Sequence, residues 1–289
     1  MAESSRALGA ATYTYLYSCS LLEALRRLAQ SGVGLVELTV APPHVDRCTL
    51  DREMRERVRN EIAELGMTAV SLNPTYLDIN LVSLNTDMRE ASLEQLKAAL
   101  RLGHDLEVPM LVLFAGRRHP LAPAPRALVD PLLFDQLGQL LKLSEELGVK
   151  IGLENGPTLV LDKCEDVAEV CRIIGSPSLR AVFDVANSHM VEEPSAGLRH
   201  VLPYLGLVHL SDTTRVRWEH SRVGSGDIAF GPIATVLDRA RYEGPSIMEI
   251  VDLASPTEGL TSSARKLAKD GWQLASPLRT LINKPSAPK

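Results

Sequence analysis

The sequence predicts an α/β protein, a single (β/α)8 TIM barrel. Three observations carry that expectation. Strand-like and helix-like stretches alternate along the whole chain, which implies parallel strands joined by helical crossovers. Eight strand-like stretches occur, the number that closes a barrel. Finally, polar residues recur where short apolar strands end: Glu154, Asp184, His209 and Glu249, spaced 30, 25 and 40 residues, about one βα unit each.

The strands are expected at residues 9–16, 35–40, 67–72, 110–114, 149–153, 181–183, 205–210 and 246–250. Each is short and rich in Val, Ile, Leu or Met, as strands buried on both faces are. Helices are expected at 20–30, 51–65, 89–106, 131–147, 163–174, 196–202 and 232–241, with a last one around 260–275. Leu21, Leu22, Leu25 and Leu28 show the helical apolar spacing, as do Leu137, Leu140 and Leu141. Gly32, Gly66, Gly148, Gly175 and Gly244 stand where helices give way to strands, as C-terminal caps do. The Pro/Ala-rich stretch 120–131 reads as a long loop over the barrel mouth. The expected division is a tail at 1–8, the barrel at 9–277 and a tail at 278–289.

Composition narrows the function classes. The 289 residues carry a formal net charge of −5, which argues against a nucleic-acid surface. No apolar run reaches membrane-spanning length, and the N-terminus shows no apolar signal core. Cys19, Cys48, Cys164 and Cys171 have no zinc-finger spacing; Cys164 and Cys171 are expected to pack in a helix rather than pair. Reduced thiols and the missing signal make a cytoplasmic location the expectation. Self-association is left open.

Side chains at the C-terminal ends of successive barrel strands converge on one mouth. Three carboxylates and an imidazole gathered there repel and lose solvent, and a cation is the simplest way to keep them ionised. Glu154, Asp184, His209 and Glu249 are therefore the expected ligands of one divalent metal ion: Mn, Mg, Co or Zn. Four other positions follow the strand ends. Asn187 lies three residues past Asp184 and could reach a substrate. Asp212 could orient His209, bind a substrate hydroxyl, or cap a turn. Arg215 and Arg117 could hold an anionic group or be solvated loop charges. The Gly224-Ser-Gly226 element lacks the strand and third glycine of a dinucleotide fingerprint and reads as a tight turn.

Taken together, Glu154-Asn-Gly-Pro, Asp184-x-x-Asn187, His209-x-x-Asp212 and His220-x-x-Val-Gly-x-Gly-Asp resemble the xylose-isomerase-like superfamily of sugar phosphate isomerases and epimerases. Val36-Glu-Leu and Ile62-Ala-Glu-Leu-Gly-Met resemble it too. The resemblance implies the same four ligands, with Glu154 and Glu249 as the acid/base pair. It implies a substrate-binding arginine at Arg215; Asn187, Asp212, His220 and Arg117, which follow strand ends, are the other candidate substrate contacts. Two positions depart from the ketose-epimerase pattern: a histidine is replaced by Asn187 and a substrate-contacting glutamate by Val160. The DNA-repair endonuclease branch is disfavoured. Its further zinc-binding histidines fall on Asn73 or Pro74 and on Phe114, and an aspartate of that branch falls on Trp218.

The implied reaction is proton abstraction next to the carbonyl of a sugar or cyclitol-like substrate, assisted by the metal. Isomerisation, epimerisation and dehydration by a lyase all start this way, and an accessory subunit that keeps the ligands but needs a partner chain is a further alternative.

Overall fold

The computed structural model describes residues 6–45, 50–75 and 78–277. Seven parallel strands run in sequence around a ring: β1 (Arg6–Ala11), β2 (Leu35–Thr39), β3 (Thr68–Asn73), β4 (Met110–Leu113), β5 (Lys150–Glu154), β6 (Leu179–Asp184) and β7 (Leu205–Leu210). An antiparallel hairpin follows, β8 (Asp212–Thr214) and β9 (Arg217–Ser221). Strand β10 (Ser246–Met248) then pairs with both β7 and β1 and closes the ring, with Leu8 opposite Ser246 and Ala10 opposite Met248. A last strand, β11 (Trp272–Leu274), adds in parallel to the start of β1.

Nine α-helices lie among the described residues: α1 (Leu21–Gln30), α2 (Arg52–Glu64), α3 (Thr86–Asp105), α4 (Arg126–Leu147), α5 (Cys164–Ile174), α6 (Val185–Val191), α7 (Pro194–Val201), α8 (Phe230–Arg239) and α9 (Pro256–Leu267). Local chemistry starts several of them. Ser20, Asp51 and Asn85 each accept a hydrogen bond from the backbone N–H three residues on, which satisfies a donor the helix itself cannot.

Strand alternation builds two cores. The outward residues pack under the helices in a large cluster that includes Leu38, Leu72, Leu111, Ile151, Phe183 and Val208. The inward residues Ala11, Met110, Val112, Val182, Leu207 and Ile247 form a smaller apolar cluster inside the ring. Gly152 joins this floor because nothing larger fits; a Cβ there would stand 2.6 Å from Val182 Cγ2 and 3.0 Å from Met110 Sδ. The next inward residues up the strands are Glu154 above Gly152, Asp184 above Val182, His209 above Leu207 and Glu249 above Ile247. A dry floor thus lies directly beneath four polar side chains.

Toward the N-terminal end of the strands, Trp272 packs in the outer cluster. Its indole is fully buried, its Nε1 donates to Ser246 Oγ at 3.1 Å, and the Arg6 guanidinium stacks 4.4 Å from its ring centroid. Arg6 also pairs with Asp238.

The structure differs from the sequence expectations in several places. Strand β1 starts at Arg6, inside the expected tail, and residues 12–15 form a 3₁₀ turn instead of extending it. Helix α4 begins at Arg126 and carries Pro131 within it, so the mouth loop is shorter than expected. Helix α6, the hairpin and β11 leave no apolar periodicity in the sequence, because each is too short or too mixed to show one. Gly148 and Gly175 are left-handed helix caps as expected. After α8, however, it is Arg241, not Gly244, that takes a positive φ of 52°. Cys164 and Cys171 are buried free thiols on α5, and Cys19 is also free. Cys48 and the expected tail 278–289 lie outside the described residues. No described helix is long and apolar enough to cross a membrane.

Candidate metal centre and active site

The barrel mouth brings Glu154, Asp184, His209 and Glu249 together. One potential ligand atom from each lies within 4.8 Å of all the others, and all four residues are buried. From His209 Nδ1 the distances are 3.2 Å to Glu154 Oε1, 3.5 Å to Glu249 Oε2 and 4.0 Å to Asp184 Oδ2.

Asp184 does two things at once. It ends β6 and caps α6, its Oδ1 accepting from Asn187 N at 2.6 Å. Its Oδ2 is buried with no hydrogen-bond partner, and so is Glu154 Oε2. Two orphaned carboxylate oxygens in a dry pocket are costly. Asp184 Oδ2 lies 4.0 Å from His209 Nδ1, and the donor set of carboxylates and imidazole fits a hard or borderline divalent cation.

Glu37 on β2 completes the arrangement. Its Oε2 lies 3.0 Å from His209 Nε2, with both side chains fully buried. Ser71 Oγ donates to the same carboxylate at 2.7 Å, and Asn73 Nδ2 at 3.1 Å. An imidazole that donates Nε2–H to a carboxylate presents the Nδ1 lone pair to the cluster. Asn73 Nδ2 also reaches Glu249 Oε1 at 3.1 Å.

The electrostatics follow from burial and crowding. Burial pushes the Glu154 carboxyl up to about 8, although His209 beside it pulls the other way. Burial raises Asp184 as well, against His220 and with the charge of Glu249. Burial would also raise Glu249, but the His209 and His220 imidazoles outweigh it and hold it at about 2. Burial disfavours charge on His209, yet Glu37, Glu154 and Glu249 around it keep it well above its ordinary value. Asp184 and Glu249 likewise overcome burial and lift His220 to about 9. Without a cation, the cluster holds protons in its place.

A cleft of about 330 Å³ opens onto Glu249. Tyr13, Phe114 and Trp218 give it aromatic walls, and Asn73, Thr75 and His220 give it polar ones. The β8–β9 hairpin supplies Trp218 and His220. His220 Nδ1 lies 3.2 Å from Glu249 Oε2 and 3.2 Å from Ser211 Oγ.

The structure sorts the expected substrate contacts. His220 lines the cleft. Asn187 reaches the cluster, but its amide is bonded to Glu154, Asn155 and Trp218. Among the roles expected of Asp212, the structure shows the turn-capping contacts. Its carboxylate accepts from the backbone N–H of Thr213, Gly224 and Ile228 and so pins the loop that follows the hairpin. In that loop a Cβ on Gly226 would collide with the Thr213 carbonyl and Asp212. Arg215 sits on the exposed two-residue turn of the hairpin, outside the cleft lining. Arg117 is exposed on the loop after β4 and also lies outside the lining.

Known proteins of similar sequence and shape can be set beside this geometry. An uncharacterized protein of Methanocaldococcus jannaschii, MJ1311, is 26% identical over 199 residues, a match that covers 66% of this chain and 65% of that protein. The chain thus spans just under two thirds of that relative's length. Among solved structures, a D-tagatose 3-epimerase-like protein superposes with a TM-score of 0.80 at 19% identity, covering 91% of this chain and 98% of the other. A 3-keto-D-glucoside 4-epimerase from E. coli gives 0.77 at 18% identity, with 91% and 99% covered. A D-psicose 3-epimerase from Clostridium cellulolyticum H10 gives 0.76 at 14% identity, with 92% and 99% covered. At these identities the likeness establishes a shared fold. The family model for the xylose isomerase-like TIM barrel matches residues 25–270, which hold seven of the eight ring strands and all four residues of the cluster, and the chain belongs to that family.

Proposed function

We propose that the protein is a divalent-metal-dependent isomerase or epimerase that moves a proton next to the carbonyl of a sugar or related polyhydroxylated compound. The observation that carries this reading is the buried cluster itself: two orphaned carboxylate oxygens and an oriented imidazole, opening through Glu249 into a cleft of sugar size. Family membership supports it, as do the similarly folded proteins named for sugar epimerisation.

Glu154, Asp184, His209 and Glu249 would hold the cation. When bound, it supplies Lewis-acid stabilisation of negative charge on a carbonyl oxygen. The chain's own groups do the rest. Glu37 fixes the His209 ring. Glu249 faces the cleft and would take the proton from the carbon beside the carbonyl. Glu154, deeper and three strands away around the ring, would exchange a proton from another side. General base catalysis of this kind contributes about 10²–10⁴-fold. His220 and Asn73 steady Glu249, while Tyr13, Phe114 and Trp218 exclude water and offer apolar faces to a ring or carbon chain.

The test is solvent exchange. Purified protein is incubated with Mn²⁺ and a panel of ketoses and inososes in heavy water. Deuterium is expected at the carbon next to the carbonyl, with the exchange abolished by a chelator. An absorbing enone instead of an exchanged sugar would assign the lyase chemistry. Absence of both exchange and metal binding would sink the reading.

A further inference from the structure

Asn187 lies in the first turn of α6, and both ends of its amide are engaged. Trp218 Nε1, a group that can only donate, lies 2.8 Å from Oδ1. That fixes the amide, so Nδ2 faces the other way. There it meets two acceptors, the main-chain oxygen of Asn155 at 3.0 Å and Glu154 Oε1 at 3.4 Å. The Trp218 indole is itself part of the cleft wall. A continuous run of hydrogen bonds therefore leads from the wall to one oxygen of Glu154. The other oxygen, Oε2, is left buried and unpaired.

We propose that Trp218 and Asn187 form a positioning relay: the indole, through the Asn187 amide, holds one oxygen of Glu154 so that the other is presented to the cation, and occupancy of the centre is felt in turn at the cleft wall. The inference rests on the metal-site reading above. Its two directions are one coupling, because linkage between two binding events is reciprocal. Asn187 and Trp218 are positioning residues for Glu154; neither donates a ligand in this scheme.

The chain has two tryptophans, and the second, Trp272, is anchored to Ser246 at the far end of the barrel. Protein labelled with fluorotryptophan gives one fluorine resonance for each, and Trp218→Phe identifies them. With Zn²⁺ alone as the probe, the Trp218 resonance is expected to shift and the Trp272 resonance to stay. Asn187→Ala should abolish that shift and weaken Zn²⁺ affinity by about 10-fold or more in calorimetry, the usual scale for an outer-sphere partner. Trp218→Phe keeps a ring on the wall but drops the N–H, and should weaken Zn²⁺ affinity in the same direction. That half-buried position keeps the test available even if Asn187→Ala does not fold. Zn²⁺ binding heat with an unmoved Trp218 resonance overturns the relay, and so does wild-type Zn²⁺ affinity in Trp218→Phe. No binding heat in the unmutated protein overturns the metal-site reading and the relay with it.

Discussion

Glu37 on β2 and His209 on β7 face each other across the barrel at 3.0 Å, both shielded completely from solvent. The pair settles which imidazole nitrogen turns toward the acidic cluster. Glu37→Gln weakens that control, because the amide can donate to Nε2 and drive the proton onto Nδ1. It also removes an acceptor shared among Ser71, Asn73 and His209. Metal affinity is expected to fall by about 10–100-fold, read by calorimetry, with circular dichroism unchanged. Wild-type affinity in the variant would show that the ring is held by packing alone.

Glu154→Gln and Glu249→Gln keep an oxygen for a cation but remove the base. Each variant should keep much of its metal binding and lose most turnover, with KM changed less than kcat. Measured on whichever substrate the exchange assay identifies, activity in both variants would remove the paired-carboxylate mechanism.

Arg215→Ala and Arg117→Ala change exposed loop charges outside the cleft lining. Stability should stay within about 0.5 kcal/mol of wild type, and metal affinity should be unaltered. A large rise in KM for either would show that its loop closes inward over bound substrate.

The acidic cluster makes the metal-free protein pH-sensitive in a defined direction. Burial raises Glu154 to about 8, and the carboxylates raise His220 to about 9. Each group keeps a proton in the native state that the unfolded chain has already released. Their contribution to stability is full at low pH and is lost as pH climbs through those values. In a chelator, the melting temperature should fall between about pH 6 and about pH 8.5. Added Mg²⁺ or Mn²⁺ should restore more of it at the upper end, since a cation replaces the protons. A metal-free melting temperature that rises over this window would contradict the cluster's charge assignment.

Burial pushes the Cys171 thiol up to about 12 and raises Cys164 well above its ordinary value. The thiolate is the reactive form. Alkylation followed by mass spectrometry should leave both unmodified in the native protein and modify both in denaturant.

The four cluster residues are legible in the sequence because each ends a short apolar strand at the same phase, and the barrel brings equal phases to one mouth. Glu37 shares that phase on β2, but nothing in the sequence says that β2 faces β7. Its motif, Val36-Glu-Leu, is visible only as a family likeness. The hairpin is hidden for a different reason. Its turn is Arg215-Val216, without the Asn or Gly that marks tight hairpins, so Trp218 and His220 read as loop residues. The exposure of Arg215 and the loop-pinning role of Asp212 follow from that same hairpin, and neither can be foreseen without it.

The pairing of β1 with both β10 and β11 has a consequence for how the chain is made. The first ring strand takes its partners from far along the chain: Leu8 waits for Ser246 on one strand and Leu274 on the other. Until then β1 has β2 as its only ring neighbour, and one edge of the growing sheet stays open. Such distant pairing slows folding and leaves a sticky border during synthesis. The closed barrel therefore carries its seam where its first and last ring strands meet, and the Trp272 indole, bonded to Ser246, ties β11 to that seam.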